Sequence, residues 1–183
     1  MNTSHLPVKL TLDNYLLLDA DGEFADYRKT ELIDGEIFFM NPQHRPHAVV
    51  KSRLFRRIAD AVDAHAQGWE AVVEGSIAIP PKNSPEPDIV VTGAPDGSGL
   101  IPIESVKLIV EVSDTTLAFE LQHKRLMYAR NGVPEYWVVD IAARAIHQFW
   151  NVSGEDYTGQ VTVVFGDPIS VKTVDLTIAT NGL

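Results

Sequence analysis

The run Leu108-Ile-Val-Glu-Val-Ser113 constrains this chain most, because it reads as a buried β-strand with an acid in the middle. Alternation along a strand sets Leu108, Val110 and Val112 on one face and Ile109, Glu111 and Ser113 on the other. A carboxylate inside such a run is costly to bury unless a cation, a metal ion or several hydrogen bonds compensate it. Glu111 therefore requires a partner. After Asp114-Thr-Thr116, any of which can cap a helix, a helical run extends to Asn131-Gly132, with Pro134 beyond the stop. At ~100° per residue, Leu117, Leu121, Lys124 and Tyr128 share one stripe. A lone lysine at the edge of such a stripe snorkels to water. With Glu111 so near in sequence, an ion pair between the two is the preferred reading. Glu135-Tyr-Trp-Val-Val-Asp140 then makes a second buried strand, at the spacing of a parallel strand–helix–strand unit.

The flanking chain supplies further strands and one long helix. Thr11 to Leu18 is expected as a short helix. Thr30 to Met40 is expected as a hairpin turning at Asp34-Gly35, a pair suited to a type I′ turn. Asn41 to Pro46 reads as a loop, and a helix from about His47 to Ala66 buries Val50, Leu54, Ile58 and Ala61. Ala71 to Ile79 and Pro87 to Thr92 read as strands, and Gly93 to Pro102 as a surface loop. Ala145 to Val152, Gln160 to Phe165 and Ser170 to Ile178 complete the count, ending in an antiparallel meander. With no repeat, linker or low-complexity tract, the 183 residues are expected to form one domain. Its class is α/β (α+β), a mixed β-sheet flanked by helices with extra antiparallel strands.

Composition narrows the chemistry. The absence of cysteine excludes disulfides, iron–sulfur clusters and thiolate zinc sites. The opening residues lack the basic segment and apolar core of a signal peptide, and no run reaches membrane-spanning length. A cytoplasmic protein without membrane contact is the default expectation. A formal net charge of −10 opposes a polyanion, so nucleic-acid binding would require a local basic face or bound cations.

Three acids recur at comparable places: Glu31 on an early strand, Asp88 at the head of another, and Glu111 within the central one. Two carboxylates from adjacent strands with a main-chain carbonyl beside them, here that of Val112, form an oxygen-rich set suited to Mg2+ or Mn2+. Acids at strand ends also merely cap loops, and the spacing alone admits both. Lys51, Arg53, Arg56 and Arg57 form a basic flank, which is either a solvated helix face or a contact for phosphates. His47, at the start of that helix, either touches a phosphate at the mouth of the site or makes a capping bond. Tyr136, Trp137 and Trp150 read as core rather than as a base-stacking platform. No Gly-rich phosphate loop, G-x-S-x-G elbow or cysteine nucleophile is present.

Taken in order, Glu31-Leu-Ile-Asp-Gly-Glu36, His47, Pro87-Asp88, Val110-Glu-Val-Ser113, Lys124, Tyr128 and Gly132-Val-Pro-Glu-Tyr-Trp-Val-Val-Asp140 resemble the Uma-two family of restriction-endonuclease-like bacterial proteins. That resemblance implies the PD-(D/E)XK nuclease fold. It matches Asp88 to the Asp of the PD element and Glu111 to the second acid. Ser113 stands where a lysine usually follows, and the resemblance places the displaced lysine on the next helix, at Lys124. Glu31 matches an additional N-terminal acid. Glu120 replaces an Asp common in relatives, a change of little expected consequence. The implied activity is divalent-metal-dependent hydrolysis of phosphodiesters in a nucleic acid, DNA above all. A non-catalytic binding or regulatory protein built on the same core is the competing expectation, and a homodimer is the expected assembly if a late strand edge is buried.

Overall fold

The computed structural model describes residues 8–27, 29–40, 42–65 and 67–183. The N-terminal segment, the first residue of the expected loop at Asn41, and Ala66 at the expected end of the long helix lie outside these. The chain divides into two compact units. One comprises the chain up to Pro42 with Ala78–Pro85, and the other Gln43–Ile77 with Glu86–Leu183.

In the first unit, α1 (Leu12–Ala20) is capped by the Thr11 hydroxyl, which accepts from the Asn14 N–H, and buries Leu12 and Tyr15. Strands β1 (Thr30–Ile33) and β2 (Glu36–Phe39) form the expected hairpin, with Ile33 opposite Glu36. Asp34 and Gly35 both have positive φ, 50° and 76°, as a type I′ turn requires. Gly35 is doubly constrained, because a Cβ there would stand 2.7 Å from Lys9 Cβ.

The second unit is organised on a six-stranded mixed sheet. Helix α2 (Arg45–His65) precedes β3 (Glu70–Val73) and the short β4 (Ile77–Ala78); β5 (Ile89–Thr92) and the short β6 (Ile101–Pro102) follow. A 3-10 turn at Ile103–Ser105 leads into β7 (Val106–Ser113). The helical connection consists of α3 (Leu117–Phe119), a π-helical turn at Glu120–Lys124, and α4 (Arg125–Arg130). Then come β8 (Glu135–Asp140), β9 (Ala145–Ser153) and β10 (Asp156–Val164). Spatial order is β10-β9-β8-β7-β5-β3, and β11 (Ile169–Val171) with β12 (Leu176–Ile178) forms a separate hairpin. The β7–β8 pair is parallel, as the strand–helix–strand spacing requires, and its neighbours are antiparallel.

The two faces of β7 separate as alternation predicts. Leu108, Val110 and Val112 join a core with Leu54, Ile58 and Val62 of α2, while Glu111 faces Lys124 and Tyr128. Two expected strands are shorter than the sequence indicates. The run from Ala71 to Ile79 breaks at Glu74, whose φ of 54° lies in the left-handed region that ends a strand. The run from Ser170 to Ile178 folds back into β11 and β12. In the opposite sense, β10 begins at Asp156, ahead of the expected Gln160.

A second buried acid secures this arrangement. Glu135 is fully buried and accepts from Trp137 Nε1 at 2.7 Å, Gln148 Nε2 at 2.6 Å, and the Lys172 and Thr173 backbone N–H groups at 2.7 and 2.9 Å. The β11–β12 turn is thereby hung on the central sheet. Replacing Glu135 by Ala leaves several buried donors without an acceptor, each worth about 1–3 kcal/mol. We expect Glu135→Ala to lose roughly 3 kcal/mol or more in urea unfolding.

Candidate active site

The compensation that Glu111 requires comes from the helical connection. Its Oε1 accepts from Lys124 Nζ at 2.9 Å and from the Tyr128 hydroxyl at 3.0 Å. All three side chains are buried, Lys124 with 2% of its surface exposed. The inward line of the helix is Glu120, Lys124, Tyr128, whereas Leu117 and Leu121 of the expected stripe are only half-buried. The π turn over Glu120–Lys124 accounts for this change, since one wider turn rotates every side chain before it relative to those after it. Glu120 thus enters the network, with its carboxylate 3.8 Å from Lys124 and its backbone carbonyl accepting from the Tyr136 hydroxyl at 3.2 Å. Sequence reasoning gave Glu120 no such place, that of a buried acid beside a buried lysine. Burial, reinforced by Glu120 and Glu111, pushes the Tyr136 phenol well above its ordinary pKa, so it remains a hydrogen-bond donor.

Asp88 precedes β5, and the next pair, Ile89 with Val110, brings it to the same end of the sheet as Glu111. Its Oδ2 accepts from the Val112 N–H at 2.8 Å and lies 3.2 Å from His47 Nε2. Its Oδ1 lies 3.3 Å from Lys51 Nζ and 3.3 Å from Gln43 Nε2. Burial raises the carboxyl pKa, but the His47 hydrogen bond and charge, the Val112 N–H and Lys51 outweigh it and hold the group below its ordinary value of 3.8. Lys51 also donates to Gln43 Oε1 and Glu74 Oε1, both at 2.6 Å. His47 is therefore turned toward the acid, and its Nδ1 is buried with no hydrogen-bond partner among the described residues.

The basic flank separates into different surroundings. Arg53 donates to the Gly182 carbonyl at 2.7 Å, and Arg57 to the Ala179 and Asn181 carbonyls at 3.1 and 2.6 Å. Lys51 sits inside the Asp88 network, 8% exposed. Arg56 lines a cavity of about 330 Å3 with Lys51, Ser52, Phe55, Val73 and Glu74. Glu31, the remaining expected acid, belongs to the first unit, where it is buried on β1 opposite Phe38. Glu74 and Gln43 escape sequence reasoning, because one looks like mid-strand and the other like plain loop. Tyr136 and Trp137 are core, as expected.

The donors suit a hard cation. Asp88 and Glu111 provide carboxylate oxygens and Val112 a main-chain carbonyl, the ligand types of Mg2+ and Mn2+. Among the described residues no group of three or more His, Cys, Asp or Glu side chains forms a ready-made cage. Such a set fits an ion that keeps several waters, as Mg2+ does.

A family model described as a putative restriction endonuclease, Uma2, matches residues 12–181. The chain belongs to the Uma2 family. Among solved structures, a putative nuclease of the DUF820 group from Anabaena variabilis superposes with a TM-score of 0.65 at 16% identity. The match covers 92% of this chain and 94% of that one, and it establishes the fold. No curated protein matches the sequence. Membership supports a nuclease-like character for the chain, and among the described residues no helix is long and apolar enough to cross a membrane.

Two stability measurements test this electrostatic arrangement. Lys124→Met strands Glu111 in the interior and should destabilise by about 3–5 kcal/mol, whereas the double variant with Glu111→Gln should recover part of that loss in urea unfolding. Asp88, with its pKa lowered in the folded state, stabilises the fold fully above its ordinary value, and the contribution is lost as pH falls through the lowered one. Asp88→Asn should accordingly flatten the dependence of stability on pH below about 3.8, read by chemical denaturation across an acid series.

Proposed function

We propose that this protein is a divalent-metal-dependent nuclease that hydrolyses phosphodiester bonds, with DNA as its substrate. The observation that carries this reading is the buried Glu111–Lys124 pair beside Asp88, at one end of two adjacent strands. Asp88, Glu111 and the Val112 carbonyl would hold Mg2+ or Mn2+. When bound, such an ion would lower the pKa of water and offset charge developing on the phosphate. Lys124 is fixed by Glu111, so its ammonium orients the attacking water without having to reorganise. His47 helps hold Asp88 ionised through the Nε2 that faces it. Arg56, on the cavity wall, contacts the nucleic-acid backbone and offsets the repulsion expected from a net charge of −10. Arg53 and Arg57 serve chiefly to hold the 179–182 segment.

The same acidity favours one alternative, a non-catalytic nucleic-acid-binding or regulatory protein that keeps the nuclease core. Cleavage of supercoiled and single-stranded DNA with Mg2+ or Mn2+ separates the readings. Activity should fall by about two orders of magnitude or more in Asp88→Asn and Glu111→Gln, with circular dichroism unchanged. Metal-dependent cleavage that persists in Glu111→Gln overturns the assignment. A folded wild type that neither cleaves nor takes up Mn2+ in calorimetry leaves the non-catalytic reading.

A further inference from the structure

We infer that Lys51 is a positioning residue whose ammonium acts as a tethered cation in an oxygen cage that would otherwise draw a second divalent ion onto Asp88. The inference deepens the proposed reading of Asp88 as a metal ligand and rests on it. Three oxygens surround Nζ: Gln43 Oε1 at 2.6 Å, Glu74 Oε1 at 2.6 Å and Asp88 Oδ1 at 3.3 Å. An ammonium has three N–H donors and no acceptor; two go to Gln43 and Glu74, and Asp88 lies at ion-pair distance. The Gln43 amide closes the cage from its other end, with Nε2 3.3 Å from Asp88 Oδ1 and 3.4 Å from Glu74 Oε1.

Two carboxylates and an amide carbonyl are the ligand types of a hard divalent cation rather than of an ordinary surface lysine. Lys51 has 10% of its side chain exposed and an acid on two sides. Glu74 reaches the cage from a left-handed backbone, φ 54°, where its N–H also bonds the Asp88 carbonyl at 3.3 Å. The fold therefore holds both acids of the cage together through the main chain, independently of Lys51.

Local charge sets the consequence. Asp88 has His47 against Oδ2 and Lys51 against Oδ1, and Glu74 shares the same ammonium. With Lys51 present, Asp88 Oδ1 is neutralised from the Glu74 side, and no further cation is drawn there. Without it, two carboxylates and an amide oxygen lose their common cation, and the vacated oxygens suit a divalent ion.

The test counts bound Mn2+ by calorimetry and electron paramagnetic resonance in wild type, Lys51→Ala and the double variant Lys51→Ala with Glu74→Gln. Lys51→Ala should bind one more Mn2+ per chain than wild type, and the double variant should lose that gain. Equal counts in Lys51→Ala and wild type overturn the inference. Since the readout is a difference, a wild type that binds no Mn2+ refutes the metal-dependent reading, while a gain in Lys51→Ala still supports the cage. Should Lys51→Ala fold only with the ion, Tm against Mn2+ concentration replaces the count. A rise larger than that of wild type and absent in the double variant is the expected result, and no larger rise overturns the inference.

Discussion

The second unit depends on neutralising acids that its own sheet buries. Glu111 lies in the middle of a strand covered on both faces, where an isolated carboxylate would shift to its neutral form or unfold its surroundings. Lys124 and Tyr128 prevent this, and the π turn in the connection between β7 and β8 sets Glu120 on the same inward line. Topology and chemistry are coupled here. The parallel β7–β8 pair demands a crossover helix, and that helix carries the cation which makes the acid tolerable. The same logic recurs at Asp88, where α2 contributes His47 and Lys51, and at Glu135, where neutral donors alone do the work.

Much of this was legible in the residues. An acid in an apolar run demands compensation, and a lysine one helix later at the right phase supplies it; both inferences needed only periodicity. The mixed sheet, the hairpin at Asp34-Gly35 and the parallel unit followed from turn chemistry and spacing. Other features left no such trace. Nothing in the composition around Glu120 announces a π turn, and a helix wheel drawn at regular phase favours Leu117 and Leu121 over Glu120. Glu74 sits in a run of β-formers, so its left-handed backbone, which ends β3 and turns the acid toward Lys51, is decided by tertiary structure. Basic residues clustered in sequence were equally ambiguous, because four neighbours on one helix face three different surroundings.

That division of the basic flank matters for how charge is used in an acidic protein. Lys51 neutralises an internal carboxylate, and Arg56 remains at a cavity wall. The others grip main-chain oxygens. A chain with this net charge has few cations to place, and it uses them where burial makes each one worth most.

The arginine contacts to residues 179–182 have an evolutionary corollary. Arg53 and Arg57 reach carbonyl oxygens, which every amino acid possesses, rather than side chains. Substitutions in that segment leave the handles intact provided the backbone keeps its path. Freedom to vary is thus confined to positions that do not set that path: Thr180 is buried, its hydroxyl accepting from the Gly166 N–H and donating to the Asp167 carbonyl, and Gly182 has a φ of 76° that favours glycine.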